Sequence, residues 1–85
     1  MAKTTHDLPS ADALMLAINS MARERQEASR KLEAGGLEDD DWEYLSDLVL
    51  RLTAALNEMG DLYEPMREGN EGLRPSFAKI LAKYE

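Results

Sequence analysis

The chain has 85 residues, no cysteine, and 17 acidic against 10 basic side chains, for a net charge of −7. Disulfide staples and thiolate metal centres are thereby excluded, and the charge repels phosphate, so no direct nucleic-acid binding is expected. A chain this short has one core, worth only about 3–5 kcal/mol unless assembly reinforces it, yet 44% hydrophobic residues set at helical period argue against disorder.

Residues 1–9 are polar and aperiodic and read as a flexible tail ahead of a single helical domain at 10–85. Met1 to Asp7 lacks the apolar core of a signal peptide, and no later run approaches the roughly 20 apolar residues of a membrane span, so a cytoplasmic protein is expected. Pro9 and Ser10 then mark a helix start, with Ser10 as N-cap and Asp12 set against the positive end of the helix dipole. Leu14, Ile18, Met21, Arg25, Ala28 and Leu32 follow at steps of four and three. Gly35 and Gly36 then offer a left-handed C-cap, which predicts a first helix over about 11–34.

The second helix is predicted over about 39–64. Its acidic opening, Glu38 to Asp41, complements the helix dipole. Trp42, Leu45, Val49, Leu52, Leu56, Met59, Tyr63 and Met66 then form an unbroken three-four seam. A connection of a few residues forces the two helices antiparallel, and at about 1.5 Å per residue their lengths match. Gly60 fits either a close helix approach or a bend before Pro65, which is expected to end or kink the helix. Gly69, Asn70 and Gly72 mark a loop. Pro75 suits the first turn of a short third helix, about 75–84, carrying Phe77, Ile80, Leu81 and Tyr84. The fold class is all-α: an antiparallel helical hairpin with a short C-terminal helix.

Leu48, Ala55 and Leu62 make a second line beside the seam and, with Tyr44, widen the apolar arc of the second helix to about 160°. One partner helix does not cover that arc. It is closed either by a second copy, giving a four-helix-bundle-like homodimer through Trp42, Leu45, Leu48, Leu52 and Ala55, or by the last helix of the same chain. Arg25 falls in the seam, so its head is expected to reach an acid such as Asp41, or a glutamate of a second copy, or to turn out to water. Arg23, Arg25, Arg30 and Lys31 lie late in the first helix, and folding should bring them beside the acidic start of the second.

Catalytic apparatus is sparse. The single histidine, His6, lies in the tail, and neither a nucleophile–base pair, a zinc ligand set, a di-iron Glu-x-x-His motif nor a Gly-rich phosphate loop occurs. Glu24 with Glu27, and Glu58 with Asp61, form Glu-x-x-Glu and Glu-x-x-Asp pairs. These are similar to the magnesium-binding signature of the all-α nucleotide pyrophosphohydrolases of the MazG and dUTPase-like group. That resemblance implies a Mg-dependent nucleotide pyrophosphohydrolase with those four carboxylates around the metal. Antiparallel pairing, however, sets Glu27 opposite residue 44, leaving Glu58 roughly 20 Å further along the helix.

The expected function is therefore that of a small non-enzymatic helical protein–protein interaction module or regulator, homodimeric and without a cofactor, with Tyr44 and Leu50 projecting as partner contacts. A reading from another class treats Asp39, Asp40, Asp41, Glu43 and Asp47 as a phosphate-like array. The chain would then be an acidic inhibitor that blocks a basic groove on its target.

Overall fold

The computed structural model describes residues 10–67 and 74–85. The expected tail at 1–9, with His6, and the loop around Gly69, Asn70 and Gly72 lie outside the described residues. Three helices make up the architecture: α1 (Ala11–Ala34), α2 (Asp39–Arg67) and α3 (Phe77–Ala82). No strand occurs among the described residues.

Helix α1 begins as its sequence dictates, with the Ala13 N–H donating to Ser10 Oγ at 3.1 Å and the Leu14 N–H to the Ser10 carbonyl at 3.0 Å. It ends at Gly35, whose φ of 75° and ψ of −168° place it in a mirror-image extended conformation and not in the left-handed helical C-cap expected. Gly36 also has φ 75°, so two consecutive glycines turn the chain before the Trp42 N–H finds the Glu38 carbonyl at 2.9 Å and α2 begins.

Helix α2 runs past Pro65 to Arg67 instead of stopping at 64. A proline this near the C-terminus removes one backbone bond, to the Asp61 carbonyl, while Met66 and Arg67 complete the last turn. Helix α3 is shorter than predicted. Ser76 is its N-cap, accepting from the Lys79 N–H at 3.1 Å, so Pro75 stands before the helix and not in its first turn. The Lys83 and Tyr84 N–H groups close its end on the Ile80 and Leu81 carbonyls.

The hairpin is antiparallel, and its core lies at the end away from the glycine turn. Leu14, Ile18 and Ala22 of α1, Leu56 and Tyr63 of α2 and Ile80 of α3 form one buried cluster, flanked by Met15, Met21, Met59, Met66, Phe77 and Leu81. Six residues of α3 do not sustain a helix alone; the docking does. The Tyr63 hydroxyl donates to the Pro75 carbonyl at 2.6 Å, and burial pushes its pKa up from the ordinary tyrosine value. Glu64 Oε2 accepts the Phe77 N–H at 2.7 Å, so α2 supplies a carboxylate to an otherwise unpaired donor at the start of α3. The Tyr84 hydroxyl donates to Asn19 Oδ1 at 2.8 Å and ties the C-terminal end back to α1.

Gly60 is the receptacle for α3. A Cβ at this position would stand 2.5–2.7 Å from three carbons of the Phe77 ring, so of the two roles open to this glycine the structure shows the close approach. The approaching group is an aromatic ring from the third helix.

Arg25 neither reaches Asp41 nor simply turns to water. Its Nη1 donates to Thr53 Oγ1 at 3.2 Å, and that hydroxyl donates to the Val49 carbonyl at 2.8 Å. The antiparallel register sets Arg25 level with Thr53, and Asp41 lies about 18 Å further along α2 at about 1.5 Å per residue.

Candidate functional site

Helix α3 lies on one side of the hairpin. Its contacts run to Gly60 and Glu64 of α2 and, through Tyr84, to Asn19 of α1. Leu62 is two residues from Gly60, which at about 100° per residue puts it about 160° around the helix, on the far side. The line Leu48, Ala55, Leu62 therefore faces away from α3. Leu62 keeps 45% of its surface exposed and Tyr44 66%, while Leu48 and Ala55 are half-buried. The molecule measures 51 × 31 × 14 Å. Its 14 Å thickness matches one two-helix layer with a third helix on one side, at interhelical spacings of about 8–10 Å. Among the described residues no helix packs on the opposite side of the layer, the bare side of the hairpin.

On α1 the same side carries the half-buried Ala17 and Met21; towards the glycine turn, Glu24, Glu27, the buried Ala28 and Lys31 face Tyr44, Leu45 and Leu48 across an open groove of about 230 Å³. The groove exists because α1 offers only Ala28 between its charged residues there, too little side chain to fill the space opposite a tyrosine and two leucines. A second concavity, about 330 Å³, lies on the other side between α1 and the C-terminal end, lined by Arg25, Gln26, Ser29, Arg30, Glu33, Tyr84 and Glu85. Its lining is mostly charged or polar side chains beside the Tyr84 ring, and Arg25 is already bonded to Thr53.

The residues expected to drive self-association divide three ways. Leu48 and Ala55 lie on the bare flank. Leu52 is 8% exposed and packs in the hairpin seam, with Leu45 half-buried at the groove. Trp42, the first residue of the expected seam, is 55% exposed, because the chain opposite it is Ala34, Gly35 and Gly36, which offer no large side chain to pack against. Tyr44 and Leu50 both project outward, but six residues separate them, so they point about 120° apart and do not form one patch.

Asp39, Asp40, Asp41, Glu43 and Asp47 are all exposed. The expected pairing with the bases of α1 does not form. Among the described residues the close ion pairs are Arg51–Asp47, Arg67–Glu64 and Arg74–Asp12, so the acidic start of α2 is left to its own helix dipole and to solvent. Glu24 and Glu27 line the groove near Tyr44, whereas Glu58 and Asp61 lie more than two turns further along α2. Among the described residues no three Asp, Glu or His side chains gather as a metal would require, so one copy does not assemble the four carboxylates.

The line Leu48, Ala55, Leu62 is visible in the residues, which leave open whether α3 covers it; Gly60, against which the Phe77 ring packs, is the residue that bears on that choice. No helix among the described residues is long and apolar enough to cross a membrane. No family model matches the chain, and neither does a curated protein or a solved structure.

Proposed function

We propose that this chain is a small non-enzymatic helical interaction module that acts by binding protein, with the bare flank of the hairpin as its association surface. One observation carries the reading: the apolar line Tyr44, Leu48, Ala55 and Leu62, exposed at its two ends and half-buried between them, receives no helix among the described residues, because the third helix docks on the other side. Faces of that kind mark interaction sites, since leaving large apolar side chains in water costs about 25 cal/mol per Å² that association recovers. The test is a pair of variants. Leu48→Glu with Leu62→Glu should abolish association measured by light scattering or affinity capture while leaving far-UV circular dichroism unchanged, and Leu50→Ser should affect neither. Association that survives the double glutamate variant refutes the assignment of the surface.

A second reading rests on the unpaired acids of α2. With no ion pair to α1, Asp39, Asp40, Asp41 and Glu43 present a fixed negative array suited to a basic groove on a target protein. Salt separates the two readings. Capture lost between low and moderate ionic strength, and lost again on Asp39→Asn, Asp40→Asn and Asp41→Asn together, favours the acidic inhibitor; salt-insensitive capture rejects it.

A further inference from the structure

We infer that the occupant of the bare flank is a second copy of this chain, its α2 antiparallel to the first and crossing it at Ala55. The inference rests on the interaction reading above and names the partner. Its first support is a symmetry in the side chains of α2. A two-fold axis through Ala55 relates residue i of one copy to residue 110 − i of the other, so Leu48 meets Leu62 of the second copy and Leu62 meets its Leu48. The small side chain at the crossing lets the helices approach closely, and Tyr44 falls against Met66 at each end.

Charge gives the second support. Arg51 and Glu58 stand on the outer rim of the same flank, and 51 plus 58 differs by only one from the symmetric sum, so Arg51 of each copy comes beside Glu58 of the other, twice. Among the described residues of one copy Arg51 pairs only with Asp47, at 2.9 Å, and keeps 79% of its side chain exposed, so it is available. A parallel arrangement would instead set Arg51 against Arg51 and Glu58 against Glu58.

Size is the third support. The apolar line runs from Tyr44 to Met66, about 33 Å at about 1.5 Å per residue; a layer-on-layer contact of that length, two helices or about 18–20 Å wide with α1 facing α1, has a footprint of about 600 Å² per copy, or about 1,200 Å² for the pair. Specific dimers start at about that area. Stacked in this way, the two layers close a four-helix bundle with each α3 on an outer side, and the acidic starts of α2 remain exposed.

The absence of cysteine makes the geometry directly testable. Sedimentation equilibrium between about 1 and 500 µM should give about 19 kDa, twice the chain mass of 9.5 kDa. Ala55→Cys should oxidise to a covalent dimer at least tenfold faster than Leu50→Cys, because only residue 55 faces its own copy across the axis. Arg51→Glu should weaken the dimer at least tenfold, and Arg51→Glu with Glu58→Arg should restore it. A mass of 9.5 kDa over the whole concentration range overturns the second copy; if such a monomer still captures a protein and loses it on Leu48→Glu with Leu62→Glu, the interaction reading survives alone. A dimer in which Leu50→Cys cross-links as fast as Ala55→Cys overturns the antiparallel crossing.

Discussion

The two sides of the hairpin both carry apolar side chains but are built on different rules. The side that receives α3 is keyed: a hollow at Gly60 takes the Phe77 ring, Glu64 takes the Phe77 N–H, Asn19 takes the Tyr84 hydroxyl, and Pro75 takes the Tyr63 hydroxyl. The other side, with Leu48, Ala55, Leu62 and Tyr44, has no such key among the described residues; its charges are Arg51 and Glu58 at the outer edge of α2 and Glu24, Glu27 and Lys31 across the groove on α1. A six-residue helix has little surface with which to hold its place, so steric fit and directional bonds select its position. A flank about 33 Å long, in the dimer proposed above, would be held by area, with the Arg51 and Glu58 edge setting orientation.

Substitutions on the two sides should therefore fail differently. The largest effect is expected from Tyr63→Ala, which empties the centre of the core and leaves the Pro75 carbonyl unpaired; a loss of about 3–5 kcal/mol consumes the whole expected stability of a chain this short. Urea titration followed by far-UV circular dichroism should find the variant largely unfolded in water, and a cooperative transition near the wild-type midpoint would contradict the core described here. Gly60→Ala comes next. In a helix interior alanine normally gains about 1 kcal/mol over glycine, but here its methyl group meets the Phe77 ring, so a loss of about 1–3 kcal/mol is expected. The sign should reverse when Phe77→Ala is already present, and a double-mutant cycle without that reversal rejects the hollow as the key.

Glu64→Gln tests the directional bond, with an expected loss of about 1 kcal/mol, below the range of about 1.5–3 kcal/mol for a charged acceptor because the side chain is 43% exposed and solvent screens it. The backbone N–H of Phe77 is the main reason that the Glu64 carboxyl titrates below its usual value, and Arg67 adds to it. A depressed folded-state pKa means that the contribution is complete above about pH 4.3, the ordinary glutamate value, and is lost as pH falls through the lower folded value. The Phe77 amide resonance should report that titration, and the same resonance in Glu64→Gln should stay flat. Least is expected of Leu50→Ser, within about 0.5 kcal/mol by thermal melting, since Leu50 is 70% exposed and lies on neither keyed nor bare flank. A larger change there would mean a third apolar contact surface.

Much of this architecture was legible in the residues. The three-four spacing, the Ser10 cap and the Gly35–Gly36 break predicted α1 at its observed bounds and α2 at its observed start, because helical period and end signals are local. The same Pro-Ser pair that marks Ser10 as a cap recurs at Pro75–Ser76, yet there the proline was read as the first helical residue; the hydroxyl that caps Lys79 decides the boundary. What escaped was tertiary. That Arg25 would meet the Thr53 hydroxyl depends on a register difference of many ångströms, and that Trp42 would stand in solvent depends on the smallness of the turn opposite. Of the candidate site, the line Leu48, Ala55, Leu62 was visible as periodicity. Its freedom was not, because that turns on which side a distant phenylalanine finds its gap.

The glycine turn carries one more consequence, in stereochemistry. At Gly35 the backbone angles are the inverse of those an L-residue adopts in a polyproline-type extension, and a Cβ built there meets nothing within 4 Å. A D-alanine introduced by chemical synthesis fits that geometry without strain and restricts the unfolded chain, which should stabilise the protein by about 0.4–1 kcal/mol, whereas L-alanine at the same place should destabilise it. Handedness at a single α-carbon thus becomes a lever on the hairpin that touches neither of its faces.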